Sequence, residues 1–97
     1  MKTVDIIRDY LGDPYVVTAI DQEDVVYRNL GNGYDFEVSG AHSLNGPFTL
    51  YVWAERPRRI VGIYSHIRGR KNLKDVLGYC AVKYQNLLAE IQIERED

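Results

Sequence analysis

Residues 25–39, VVYRNLGNGYDFEVS, hold two runs of β-branched and aromatic residues on either side of Gly31-Asn32-Gly33. Such runs favour strands, and a glycine-rich tripeptide between them is typical of a β-hairpin turn. A two-residue turn would place Leu30 opposite Asp35, whereas a three-residue turn places Leu30 opposite Tyr34. We predict the second register, because slipping by one residue would move every side chain to the other face of the sheet.

Three more segments have the composition of strands, namely residues 15–20, 48–54 and 59–67. Each is rich in β-branched and aromatic residues and is bounded by Gly, Pro or charged turn residues. Strands joined by short connections usually pair antiparallel with their neighbours in the chain. The sequence therefore predicts one five-stranded antiparallel sheet.

The hairpin at residues 48–67 also predicts which side chains share a face of the sheet. If Ala54 lies opposite Arg59, strict alternation places Val52 opposite Val61. The predicted core face then carries Phe48, Leu50, Val52, Val61 and Ile63. The predicted outer face carries Thr49, Tyr51, Trp53, Ile60, Gly62 and Tyr64.

Two helices are expected at the ends of the chain. The first covers residues 4–11, with Thr3 as N-cap and Gly12 as the stop signal. The second begins after an Asn72 N-cap and carries an apolar stripe at steps of three and four residues. That stripe comprises Leu73, Val76, Leu77, Cys80, Tyr84, Leu87, Leu88 and Ile91. The predicted fold is α+β, a single domain over residues 1–97 in the order α-β-β-β-β-β-α, with the long C-terminal helix on one face of the sheet.

Composition predicts an ordinary globular protein. The 97 residues are 45% hydrophobic and 27% charged, a balance typical of one small folded domain. The single cysteine, Cys80, excludes an internal disulfide and a cysteine-based zinc site. No apolar stretch is long enough for a membrane span. We expect a cytoplasmic protein with no membrane contact, no cofactor and no metal.

Charge is segregated along the chain, although the formal net charge is only −2. Residues 1–55 hold three basic and nine acidic side chains, whereas residues 56–83 hold eight basic and one acidic. Such blocks predict faces for partners of opposite charge, unless they interleave in space and cancel. If the partner is nucleic acid, the predicted phosphate contacts are Arg56, Arg58, Arg59, Arg68, Arg70, Lys71 and Lys74.

Two short motifs beside the basic block are similar to those of a known family. Gly40-Ala41-His42 precedes a predicted strand, and residues 70–74, RKNLK, open the last helix with a basic spacing. Residues 34–90 thereby resemble the later part of a double-stranded-RNA-binding domain. The resemblance implies a minor-groove contact by His42 and phosphate contacts by Arg70, Lys71 and Lys74. The family's proline and alanine are replaced here by Ala41 and Leu73, and two extra strands precede the matching region.

Residue types that carry catalysis are present without a recognisable arrangement. His42 and His66 would act as acid and base of a ribonuclease only if the fold brought them together. Cys80 lies on the inward stripe of the last helix, where a thiol is usually a small core residue. Residues 21–24 lack the glycine and terminal glutamate of a calcium loop. We therefore predict no enzymatic activity and no small-molecule substrate.

Charge blocks together with outward aromatic residues favour protein binding. Acidic side chains on strands and turns would replace phosphates on a basic partner, and aromatic residues would form the desolvated centre of the contact. The predicted contact residues are Asp21, Glu23, Asp24, Asp35, Glu37, Tyr51, Trp53 and Tyr64. We predict a module that docks on a larger protein, most concretely a phage- or mobile-element-encoded inhibitor of a bacterial defence nuclease, of the anti-CRISPR type. The alternative function is a nucleic-acid-binding domain using residues 56–74. The aromatic face would be unavailable to a partner if the first helix covers it.

Overall fold

The computed structural model describes the backbone of residues 1–96 and the side chains of residues 1–87. It confirms an α+β fold with a short N-terminal helix, a five-stranded antiparallel sheet and a C-terminal helix. The elements are α1 (Thr3–Leu11), β1 (Val16–Ile20), β2 (Glu23–Asn29), β3 (Tyr34–Ser39), β4 (Phe48–Glu55), β5 (Arg58–Ile67) and α2 (Arg70–Glu96). The strands lie side by side in chain order, so β1 and β5 form the two edges of the sheet.

The first hairpin, between β2 and β3, has the predicted three-residue register. The amide of Leu30 donates to the carbonyl of Tyr34 at 3.0 Å, and Gly33 adopts a φ of 97° in the turn. Side chains with a Cβ atom rarely adopt that conformation, which explains glycine at this position. The carboxamide oxygens of Asn29 and Asn32 accept hydrogen bonds from turn amides and hold the loop in place.

The second hairpin, between β4 and β5, departs from the prediction through two register shifts, a β-bulge opposite Val52 and Trp53 and a second irregularity opposite Phe48 and Leu50. The predicted pairing holds next to the turn, but Val52 then pairs with Gly62 and not with Val61. One extra residue in β5 inverts the facing of the side chains that follow it. The predicted faces of four residues are therefore wrong: Val61 and Ile63 lie on the outer face, while Gly62 and Tyr64 lie on the core face.

Tyr84 of α2 explains why glycine occupies the inward position beside the bulge. A Cβ atom on Gly62 would lie 2.5 Å from the Tyr84 hydroxyl oxygen. The Tyr84 ring has little freedom to move away, because its centroid lies 5.2 Å from that of Tyr34 and 6.4 Å from that of Phe36. The bulge therefore places the glycine of β5, Gly62, beneath the buried tyrosine.

Both helices pack on the same face of the sheet. α1 contributes its predicted stripe, Val4, Ile7 and Leu11, to the hydrophobic core. α2 contributes Leu73, Leu77, Cys80 and Tyr84, while the predicted stripe positions Leu88 and Ile91 lie outside the described side chains. Because α1 and α2 share one face, α1 leaves the opposite face of the sheet uncovered.

Both predicted N-caps are displaced by a few residues. Thr3 is already helical in α1, and the preceding Lys2 amide donates to the carboxylate of Asp5 at 3.1 Å. α2 begins at Arg70, so Asn72 lies inside the first turn. The side-chain amide nitrogen of Asn72 donates to the Arg68 carbonyl at 2.6 Å. Asn72 thus stabilises the chain segment that leads into α2 and is not the N-cap.

Candidate protein-binding face

The face of the sheet opposite the helices is called the outer face. Cross-strand pairing places on it one row of residues from each of β2, β3 and β4, and the bulge adds aliphatic residues from β5. The central residues of the outer face are Val25, Tyr27, Asp35, Glu37, Tyr51, Trp53, Arg58, Ile60, Val61 and Ile63. The helices bury the other rows and leave this face without a covering helix. Within the outer face Val25 and Asp35 are fully buried, the side chains of β5 are exposed, and the remaining aromatic and acidic residues are half-buried.

A buried carboxylate lies at the centre of the outer face. Asp35 is fully buried, and the two terminal nitrogens of Arg58, Nη1 and Nη2, each donate to one of its carboxylate oxygens at 3.2 Å. These hydrogen bonds raise the pKa of Arg58. Burial, followed by the interaction with Asp35, raises the pKa of the Tyr27 hydroxyl. Paired in this way, a buried charge is tolerated, whereas an unpaired one would be strongly unfavourable.

Trp53 is held by polar neighbours on two sides. Its indole nitrogen donates to the Glu37 carboxylate at 3.0 Å. The guanidinium of Arg58 lies 4.4 Å from the centroid of the indole ring, within the range of a cation–π contact. Trp53 and Arg58 are therefore fixed relative to each other before any partner binds, so little side-chain entropy remains to be lost on binding.

Aliphatic residues of β5 extend this aromatic centre to the edge of the sheet. Ile60 pairs with Trp53 and Ile63 pairs with Tyr51 across the strands. Ile60, Val61 and Ile63 are 42%, 38% and 57% exposed. A contiguous exposed patch of large apolar side chains beside fixed Trp and Arg residues is typical of a protein interaction surface.

Tyr64, predicted to share a face with Tyr51 and Trp53, lies on the opposite side of the sheet. Its hydroxyl group accepts a hydrogen bond from the Lys83 ammonium group at 3.4 Å. Burial is the main cause that raises the pKa of the Tyr64 hydroxyl, and the nearby Cys80 thiol raises it further. The bulge is the physical reason, since a regular strand would have put Tyr64 beside Tyr51.

The predicted acidic contact residues are divided between two places. Asp35 and Glu37 lie on the outer face, while Asp21, Glu23 and Asp24 lie in and after the turn between β1 and β2. Four of the five have partners within the chain, since Glu23 accepts from the hydroxyl of Ser39 and the amide of Gly40, and Asp24 pairs with Lys2 at 3.0 Å. A basic partner would have to compete with these contacts.

The predicted basic residues are also divided in space. Arg56, Arg58 and Arg59 lie at the turn end of β5, whereas Arg68, Arg70, Lys71 and Lys74 lie at its far end. Eight residues of β5, 60–67, lie between Arg59 and Arg68 and separate the two groups by roughly 30 Å. Arg70 and Lys74 lie over the ring of Tyr10 at 5.6 and 5.5 Å, and Lys71 pairs with Asp75 at 3.2 Å.

The two histidines occupy different parts of the fold. His42 lines a cleft of about 450 Å³ between the start of α1, the β1–β2 turn and the loop after β3. His66 lies at the end of β5 with a φ of 59°. Cys80 is buried, and that burial raises the pKa of its thiol. Within the described residues, no three His, Cys, Asp or Glu side chains are grouped so as to hold a metal ion.

No family model, curated protein or solved structure matches the chain. The resemblance to double-stranded-RNA-binding domains thus rests on its two short motifs. Among the described helices, none is long and apolar enough to cross a membrane.

The pair of Asp35 and Arg58 was not predicted, although both residues were singled out separately. Asp35 lies opposite Trp53, and Arg58 follows on the next strand. The register between β3 and β4, which are joined by the loop of residues 40–47, brings the two charges together. Neither hairpin specifies that register, so no local pattern pointed to this pair.

Proposed function

We propose that this chain is a non-catalytic module that binds a larger protein through its outer face. The observation that carries the proposal is the pre-ordered Trp53–Arg58 pair beside the exposed side chains of Ile60 and Ile63, on the face left open by both helices. Trp and Arg are the residue types most enriched at energetic hot spots of protein interfaces.

The composition of the outer face favours a protein over other partners. Its only cation near the centre, Arg58, is already neutralised by Asp35, so phosphate groups gain little from it. The adjoining aliphatic side chains of β5 offer no hydrogen bonds and are stabilised by apolar contact. Burying Ile63 against a partner is worth up to about 1.5–3 kcal/mol, reduced in proportion to the area already buried.

The narrower prediction, an inhibitor of a bacterial defence nuclease of the anti-CRISPR type, stays a prediction. Asp21 is the acidic residue of the predicted set without a hydrogen bond or ion pair among the described contacts. The internal partners of the other four acids reduce the support for phosphate mimicry. In this version, too, the contact would centre on Trp53 and the aliphatic residues of β5.

Nucleic-acid binding is the second candidate function. It is favoured by the start of α2, whose first turn contains no acidic residue beside the predicted contacts Arg70 and Lys71. Free backbone amides at a helix N-terminus favour anions, so phosphates would bind there beside these basic side chains. This surface and the outer face would be used independently.

A capture experiment with matched variants tests the proposal. The tagged protein is incubated with a bacterial lysate, with and without nuclease treatment, and captured proteins are compared for the parent, Trp53→Ala and Tyr79→Ala. Tyr79 is an exposed aromatic residue on α2, away from the outer face, and serves as the control. We expect a specific partner to be lost with Trp53→Ala and retained with Tyr79→Ala.

The purified partner then allows the affinity to be measured. Loss of a hot-spot tryptophan should weaken binding by about 2 kcal/mol or more, roughly thirtyfold in Kd. Circular dichroism of the variant shows whether the fold is intact, and Tyr51→Ala provides a second test of the same face. Equal binding by parent, Trp53→Ala and Tyr51→Ala would contradict the proposal, and capture that disappears on nuclease treatment would favour the second candidate.

A further inference from the structure

The strand β5 is a long free edge of the sheet. It spans ten residues and, within the described structure, pairs with β4 alone. Edge strands of monomeric proteins are usually short or protected by charged residues, because their unpaired backbone groups pair readily with another strand. Residues 60–64, IVGIY, form the middle of β5 and carry no charge.

The bulge increases this exposure. Bulges often protect an edge by twisting it away from partners. Here the extra residue turns Val61 and Ile63 away from the core and leaves them exposed beside Ile60. The edge therefore combines free backbone hydrogen-bonding groups with three aliphatic side chains.

We infer that β5 pairs antiparallel with β5 of a second copy of this chain, joining two sheets into one of ten strands. The pairing is centred between Val61 and Gly62, so that Ile60 of each copy lies opposite Ile63 of the other. It joins the outer faces of the two copies into one surface. The inference does not depend on the proposed partner, because the contact uses the edge of the sheet.

The distribution of charge along β5 selects a second copy and its orientation. The basic residues of the strand, Arg58 and Arg59, are its first two residues. A parallel pair would place these arginines opposite their own copies, which is unfavourable. The antiparallel pair places them opposite Ser65 and Tyr64, which are neutral, and leaves the uncharged segment at the centre.

The opposite edge is less suited to the same contact. β1 has five residues against the ten of β5, and it leads directly into the turn that carries Asp21. A head-to-tail contact of β5 with β1 of the next copy would generate open chains and not a closed dimer. Sedimentation distinguishes these arrangements.

The first test is sedimentation equilibrium of the purified chain over a wide range of concentration. We expect a mass that rises to twice the 11.2 kDa of one chain and then stays constant. Val61→Lys places two like charges at the symmetry axis and should raise the dissociation constant by about tenfold or more. Val16→Lys, at an outer-face position of β1 that is 49% exposed, should leave the dimer unchanged.

The second test fixes the orientation by disulfide cross-linking under a mild oxidant. Val61→Cys should form a dimer linked by a disulfide, because the two copies of residue 61 lie next to the axis. Ser65→Cys should not, because antiparallel pairing separates its two copies by about 24 Å. The parent, with only the buried Cys80, is the background control.

Three outcomes would overturn the inference: a monomer at every concentration, a dimer unaffected by Val61→Lys, or cross-linking through residue 65 and not residue 61. A mass that grows without limit would instead demonstrate the head-to-tail contact and equally reject the closed dimer. None of these measurements involves another protein. A failure here is therefore separate from a failure of the outer-face proposal, which the Trp53→Ala capture tests.

Discussion

Gly62→Ala is the substitution with the most direct structural consequence. The added methyl carbon would lie 2.5 Å from the Tyr84 hydroxyl oxygen and 3.2 Å from the ring of Tyr64. Real side-chain contacts do not come that close, so the strand or the tyrosine must move. Tyr84 is buried between aromatic neighbours, and its displacement would open space in the core. Overpacking of this kind costs about 1–3 kcal/mol, which lowers the Tm of a domain of this size by roughly 4–8 °C for each kcal/mol.

Urea unfolding followed by circular dichroism measures this cost. Gly78→Ala in α2 is the matched control, because a Cβ atom there would meet no atom within 4 Å. The same substitution should stabilise the helix by about 0.4–1 kcal/mol. Opposite signs at the two glycines would show that the close contact at Gly62, and not the loss of backbone freedom, determines the result.

A double-mutant cycle identifies the atom responsible. Tyr84→Phe removes the hydroxyl group that the new methyl group would meet, so Gly62→Ala should be less harmful in that background. The coupling free energy should be about 0.5–3 kcal/mol, as expected for residues in direct contact. Strictly additive effects, or an unchanged urea midpoint for Gly62→Ala alone, would refute the contact between Gly62 and Tyr84.

Two further predictions concern buried polar groups. Arg58→Ala leaves the carboxylate of Asp35 without its bidentate partner, and we expect the free energy of unfolding in urea to fall by about 1–3 kcal/mol. Arg56→Ala in the neighbouring turn is the control and should change it by less than about 0.5 kcal/mol. Equal effects of the two substitutions would show that the pair contributes nothing to stability. Burial raises the pKa of Tyr84 above its ordinary value of 10.0, so the folded state holds this proton more tightly and the free energy of unfolding should fall as the pH rises above 10.0. Tyr84→Phe should make that alkaline fall less steep in unfolding measurements, and an unchanged slope would show that Tyr84 does not titrate with unfolding.

The candidate site was predicted in part. Tyr51 and Trp53 were correctly placed on one face, because alternation along the regular strand β4 is a local property. The hydrogen bonds and ion pairs that the acidic residues make within the chain were not predicted, since their partners lie far away in sequence. Glu37 and Trp53 are 16 residues apart, as are Glu23 and Ser39, and only the sheet brings them together. The segregated charges of the sequence are thus partly neutralised in space.

The sequence by itself determined the elements and the first hairpin. Gly31-Asn32-Gly33 specified the register between β2 and β3, because the turn needs a left-handed residue and the apolar residues must share one face. The apolar stripes of α1 and α2 likewise predicted two amphipathic helices, because each is a repeating pattern within one segment. Such features depend on neighbouring residues alone.

Only the tertiary structure decided which residues of β5 face solvent and where α1 packs. The bulge places Gly62 beneath Tyr84, a residue 22 positions further along the chain, and leaves Val61 and Ile63 exposed. The choice of face for α1 depends on the space that α2 leaves on the sheet, which no local pattern records. Both decisions come from packing between distant segments, and together they create the open outer face and the free edge of β5.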